Sequence, residues 1–158
     1  MTDRFSQIIE FTLQNEGGYV NDPNDAGGET NFGISKRMYP NLDIKNLTKD
    51  QAIGIYKREF WDPYPFDKIN DFGICRKLFD MSVNMGASRA IKLLQAAEGN
   101  IAVDGRLGPI SIQAINNDDP TILLHAYIDR IEGFYKQLAA DKPSNQKFLK
   151  GWLRRASL

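Results

Sequence analysis

Glu16 closes an apolar-patterned stretch and is followed at once by a polar, glycine-rich run, residues 17–35. Asp25 lies nine residues on and Thr30 five further. The spacing sets one carboxyl on a hydrophobic helix face and a second on a polar loop. Such unlike surroundings let one acid stay protonated while the other ionises, which is what hydrolysis of a glycosidic bond needs. Desolvation on an apolar face raises a glutamate's pKa and keeps the proton a general acid must deliver. A loop returning over the helix end could bring Asp25 opposite Glu16. Carboxyls roughly 6.5–9.5 Å apart leave room for an attacking water, and roughly 5–5.5 Å suits a nucleophile. Thr30, with one hydroxyl, could orient that water. Each residue also has a plainer use. Glu16 could be a solvated residue at a frayed helix end, and Asp22, Asn24 and Asp25 could simply build turns. At Asp25 the two readings stand level. A calcium loop starting at Asp22 fails at its fifth position, Ala26, and at its twelfth, Gly33.

The elements that must position these groups are mostly helical. Phe5, Ile8, Ile9, Thr12, Leu13 and Glu16 recur at helical spacing behind a Thr2 or Asp3 N-cap, and Gly17-Gly18 supplies the stop. Residues 21–28 are too rich in Asn, Asp, Gly and Pro to extend it, so a loop or short irregular hairpin leads into 30–35. Thr48-Lys49-Asp50-Gln51 is a capping box for a helix that Pro63 and Pro65 end. Further helices are predicted over 72–85, 88–97, from Pro109, over 121–140 behind Asp119 and Pro120, and from Ser144 to the end. The fold class is mainly α, with a small β or irregular element near residues 19–35.

Composition narrows the chemistry. The 158 residues are 42% hydrophobic, without a run of about 18 apolar residues that would cross a bilayer. Twenty basic and twenty acidic residues balance to zero, which argues against a nucleic-acid partner. A single cysteine, Cys75, excludes an internal disulfide, and a single histidine, His125, disfavours a zinc hydrolase. Met1 to Phe5 do not look like a secretory signal, so synthesis and retention in the cytoplasm are expected.

Glu16-Gly17-Gly18-Tyr19, followed by Asp22, Asp25, Gly27-Gly28, Thr30 and Gly33-Ile34-Ser35, resembles the signature of glycoside hydrolase family 108, which holds N-acetylmuramidases including bacteriophage endolysins. The order Glu, Asp, Thr is also similar to the catalytic trio of phage-type lysozymes, with one residue fewer between Asp25 and Thr30. The resemblance implies an α+β lysozyme-like fold and β-1,4 cleavage between N-acetylmuramic acid and N-acetylglucosamine. It implies Glu16 as general acid, Asp25 as base or electrostatic partner, and Thr30 as water-positioner, with no metal or organic cofactor. A second stretch, Ala90 to Gln95 and then Val103-Asp104-Gly105-Arg106-Leu107-Gly108-Pro109-Ile110-Ser111, resembles predicted peptidoglycan-binding segments. The chain therefore divides into a lysozyme-like catalytic region, 1–88, and a helical peptidoglycan-binding region, 89–158, expected to pack as one compact monomer. A phage origin would imply accumulation in the host cytoplasm and release to the wall through a separate pore.

Other residues carry weaker signals. Tyr19, Phe32, Trp61 and Tyr127 are candidates to stack on sugar rings, though aromatics at such positions more often serve the core. Asn84 and Gly86 could line the sugar cleft, with a helix C-cap as the favoured use. His125, on an apolar-looking helix, reads as a structural histidine, and Cys75 as a buried, inert thiol. The tail carries Lys142, Lys147, Lys150, Arg154 and Arg155 without an acid, beside Phe148, Leu149, Trp152 and Leu153. It could be a cationic helix engaging an anionic membrane or wall polymer, in which case removing 147–158 should spare the fold. Docking of its apolar side on the core is favoured over that. Three rivals to the hydrolase stand beside it: a lytic transglycosylase, a non-catalytic peptidoglycan-binding protein, and a Cys75–His125 amidase.

Overall fold

The computed structural model describes residues 3–22 and 28–158, which form two compact units, Met1–Pro63 and Tyr64–Leu158. Among the described residues there are seven α-helices and one three-stranded antiparallel sheet near the N-terminus, the mainly helical class expected.

In the first unit, α1 (Arg4–Glu16) is capped by Asp3, whose carboxylate accepts from the Ser6 N–H at 2.8 Å. Its buried stripe is Phe5, Ile8, Ile9, Thr12 and Leu13. Gly17, at φ +76°, ends it and donates its N–H to the Leu13 carbonyl. The strands β1 (Val20–Asn21), β2 (Glu29–Asn31) and β3 (Ile34–Ser35) follow in sheet order. Val20 pairs with Thr30, Thr30 with Ser35, and Asn31 with Ile34. The β2–β3 connection is therefore the two residues Phe32 and Gly33, at φ +52° and +78°, the positive pair a type I′ hairpin turn requires.

Next comes α2 (Lys49–Tyr56), started by the reciprocal Thr48/Gln51 capping box. The predicted helix does not simply run on to Pro63. After Tyr56 it widens into a π-helical turn, Lys57–Trp61, closed by the Asp62 N–H donating to the Lys57 carbonyl. Trp61 meets Phe5 there, ring centroids 5.4 Å apart.

The second unit holds α3 (Phe72–Met85), α4 (Ala87–Glu98), α5 (Pro109–Asn117), α6 (Pro120–Asp141) and α7 (Gln146–Ser157). Asp71 caps α3 and Asp119 caps α6, both through backbone N–H groups of the first turn. α3 packs on α4, α4 on α6, and α6 on α7. The 88/89 boundary expected from the sequence falls within α4, inside this unit.

The tail helix α7 is docked by specific bonds. Arg155 makes a two-point ion pair with buried Asp80, Nε to Oδ2 and Nη2 to Oδ1, each 3.0 Å. Lys77 Nζ donates to the Arg155 and Ala156 carbonyls at 3.2 and 2.7 Å, satisfying the open end of α7. Trp152 stacks on Tyr135 at 5.1 Å. Docking is thus the observed use of its apolar side, and excising 147–158 would expose α6 and strand Asp80. Lys147, Lys150 and Arg154 remain exposed on the outer face.

Candidate active site

Three segments converge at the C-terminal end of α1. The helix places Glu16, half-buried, as its last residue. The Phe32–Gly33 turn lies against it: a Cβ on Gly33 would stand 2.7 Å from Glu16 Oε2 and 2.6 Å from the Tyr56 hydroxyl. Both distances are shorter than carbon and oxygen tolerate, so a side chain there would have to displace the carboxyl or the hydroxyl, and the positive φ favours glycine as well. Tyr56, the last residue of α2 and 2% exposed, donates its hydroxyl to the Phe32 carbonyl at 2.8 Å.

The hairpin is held from its other side by Asn31. Its buried amide donates to the carbonyls of Ile44 at 3.0 Å and of Lys45 and Leu47 at 3.4 Å, the segment just ahead of the α2 cap. Successive strand residues face opposite ways, so Thr30 turns away from the face that carries Glu29 and Asn31. Tyr19 joins Glu29: its hydroxyl donates to Oε2 at 2.6 Å, and that bond holds the phenol above its ordinary tyrosine range. The Tyr19–Glu29 pair and the Thr30 hydroxyl therefore occupy opposite sides of the small sheet. Tyr19 is 40% exposed and Phe32 half-buried, which leaves both rings partly open. Asp25 lies outside the described residues.

The second unit handles its expected site residues differently. Tyr127 is not a sugar-facing ring. It is 0% exposed, with its hydroxyl donating to the Ala90 carbonyl at 3.0 Å, so its face and its polar tip are both used by the core. Asn84 is half-buried and accepts a short hydrogen bond from the Tyr135 hydroxyl. His125, taken for a structural histidine, is exposed on α6, because the buried stripe of that helix runs through Leu123, Tyr127, Ile131 and Tyr135. Cys75 is buried, its thiol directed at the Phe66 carbonyl. Trp61, at 5% exposed, belongs to the core of the first unit.

Gln95 organises the second motif. It is 1% exposed, and its amide nitrogen donates to Asp104 Oδ1, the Arg106 carbonyl and Ser111 Oγ at 2.9–3.0 Å. Its oxygen accepts from the Asp104 and Gly105 N–H groups at 3.0 Å. The Asp104 carboxylate, bonded to the Arg106 N–H and to Gln95, sits below its ordinary range. The Leu-Leu-Gln helix, the Asp-Gly turn and the Gly-Pro helix start are thus one knot around a satisfied buried amide. Among the described residues no group of His, Cys, Asp and Glu could hold a metal ion, and no helix is long and apolar enough to cross a membrane.

Residues 9–86 match the glycosyl hydrolase 108 family, and residues 89–157 match the family described as a predicted peptidoglycan domain. The solved structure of Brucella abortus SagA is similar, at 28% identity and a TM-score of 0.80, covering 97% of this chain and 89% of that one. No curated protein matches. The chain pairs a glycosyl hydrolase family 108 domain with a C-terminal predicted peptidoglycan-binding domain, and it is a glycosidase directed at peptidoglycan.

Proposed function

We propose that the chain is an N-acetylmuramidase that hydrolyses the β-1,4 bond between N-acetylmuramic acid and N-acetylglucosamine, with Glu16 as its general acid. The observation that carries this is the half-buried Glu16 carboxyl, held at a helix end against a hairpin turn within the stretch matched by the hydrolase family. Glu16 delivers its proton to the glycosidic oxygen as the anomeric C–O bond breaks. A water adds to the anomeric carbon and loses its proton to Asp25, or Asp25 stabilises the oxocarbenium-like transition state. Thr30 orients that water. The partly exposed rings of Tyr19 and Phe32 are the sugar-packing surfaces. On this reading an endolysin is held in the host cytoplasm and reaches the wall through a separate pore. The exposed cations of α7 add contact with an anionic surface.

The test is digestion of purified peptidoglycan by wild type and Glu16→Gln, with products identified by mass spectrometry. Loss of a general acid costs about a hundredfold or more, so the variant should be nearly silent while the wild type yields reducing N-acetylmuramic ends. Anhydro products would mean a lytic transglycosylase instead. Full activity of the variant would move the acid elsewhere, and cleavage by neither protein would leave a binding protein.

A further inference from the structure

The Glu16 carboxyl stands at a helix terminus, where the last turn has few backbone restraints. What abuts it is the Phe32–Gly33 turn, close enough that the carboxyl and the Tyr56 hydroxyl both lie within 2.7 Å of the place a Gly33 Cβ would take. That turn would not hold itself. Phe32 is the one non-glycine with positive φ among the described residues, a conformation an ordinary side chain disfavours, so contacts outside the turn help to fix it. Two contacts are available, one at each end. Asn31 ties the strand before the turn to residues 44–47, and Tyr56 donates to the Phe32 carbonyl at the turn itself. Tyr56 is buried, its ring packs on Phe60 at 5.3 Å, and it sits where α2 gives way to the π-helical turn. Its hydroxyl therefore has a fixed position.

We propose that Tyr56 is a positioning residue of the hydrolytic site: its hydroxyl clamps the Phe32–Gly33 turn where that turn meets the Glu16 carboxyl. The hairpin then sets the acid's position. Gly33 is the space-keeper of the same device, because a side chain there would displace either the carboxyl or the clamp. The proposal rests on Glu16 acting as the general acid.

Tyr56→Phe keeps the ring and removes the hydroxyl that makes the clamp. It should lower kcat about tenfold because the acid is misplaced, with a smaller rise in KM through the Phe32 ring that the same turn carries. Ile8→Val, a buried change two turns upstream in α1, should give a comparable loss of melting temperature with unchanged kcat. A Tyr56→Phe enzyme with wild-type kcat, or one whose loss matches that of Ile8→Val, overturns the proposal. A double-mutant cycle adds an independent reading. Gly33→Ala alone should cost kcat about a hundredfold, and adding Tyr56→Phe should cost far less than the product of the two, because both act at one contact. Multiplicative losses would overturn it. Glu16→Gln in the same assay separates the layers: a silent Glu16→Gln with a normal Tyr56→Phe removes the clamp alone, whereas an active Glu16→Gln removes the acid and the clamp together.

Discussion

The two units differ in where their polar groups and backbone are under strain. In the second, three buried polar side chains are tightly engaged: Gln95 makes five hydrogen bonds, Asp80 pairs with Arg155 at two points, and Lys77 serves two carbonyls. In the first, Thr12 Oγ1 and Asn15 Nδ2 are buried on α1 without a hydrogen-bond partner among the described residues, about one turn or less before Glu16, and Phe32 holds a positive φ. Its strands are two or three residues long. Unsatisfied groups and strained backbone persist where surrounding structure over-determines them, and they gather at functional sites. The difference teaches a division of labour: the hairpin region holds chemistry at a cost in stability, and the helices of the second unit supply order. Substitutions in the second unit should then move stability and leave chemistry alone.

The largest expected effect is at Asp80. Asp80→Ala removes both acceptors of the Arg155 guanidinium and leaves that cation and Lys77 close together without their shared acid. Breaking one partner of a buried pair costs about 3–5 kcal/mol, most of it from the charge left behind. Thermal unfolding should show a drop of many degrees, while kcat at a temperature where the variant is folded stays within about twofold of wild type. A variant that melts normally would mean the pair is solvated, and one that loses kcat while folded would dissolve the division of labour.

How far the sequence announced this arrangement depends on whether a feature is local. Many helix limits were legible because caps and breakers are local chemistry: Asp3, the Thr48/Gln51 box, and Asp119 with Pro120 all cap where they stand, whereas the Asp71 cap of α3 emerged only in the structure. Glu16 was legible for the same reason, from the Gly-Gly stop behind it. The contact that frames it was not, because residues 16, 33 and 56 are far apart in the chain and Tyr56 reads as an ordinary core aromatic. Tyr127 and His125 sit two residues apart on a helix with apolar residues on several faces, so periodicity could not say which one turns inward. The docked tail did leave a trace. An aspartate inside Leu78-Phe79-Asp80-Met81 is a buried acid in need of a cation, and Arg155 lies in the tail.

A smaller effect concerns pH. Burial pushes the Lys77 ammonium down to about 8, with the Asp80 charge only partly opposing it. Below about 8 the folded and unfolded chains both hold the proton, and the cost of burying it is carried in full. Between about 8 and 10.5 the unfolded chain binds more protons than the folded one, so the unfolding free energy rises with pH through this group. Lys77→Met removes the rise and adds a pH-independent loss from the two carbonyls left without a donor. Denaturant melts at stepped pH should therefore show the stability of wild type relative to Lys77→Met climbing across that window. A flat difference would mean that the ammonium reaches water.

The smallest effect tests whether the second unit does more than supply order. Lys147, Lys150 and Arg154 stand on the outer face of α7, Lys147 lying 5.0 Å over the Phe148 ring, while Arg155 alone of the tail's last cations turns inward to Asp80. Since the apolar side of the helix is already occupied, any added affinity for a wall polymer is electrostatic and must be screened by salt. Replacing the three with glutamine should leave the melting temperature nearly unchanged, because exposed substitutions away from specific contacts stay within about 0.5 kcal/mol. Co-sedimentation with purified walls at low ionic strength should fall several-fold, and the gap between variant and wild type should close near 1 M salt, where the screening length is about 3 Å. Equal binding at low salt would confine peptidoglycan recognition to other surfaces and leave α7 as a docked strut. A gap that persists at high salt would mean that the three side chains make short-range contacts with the wall, and that the second unit's outer face is itself a binding site.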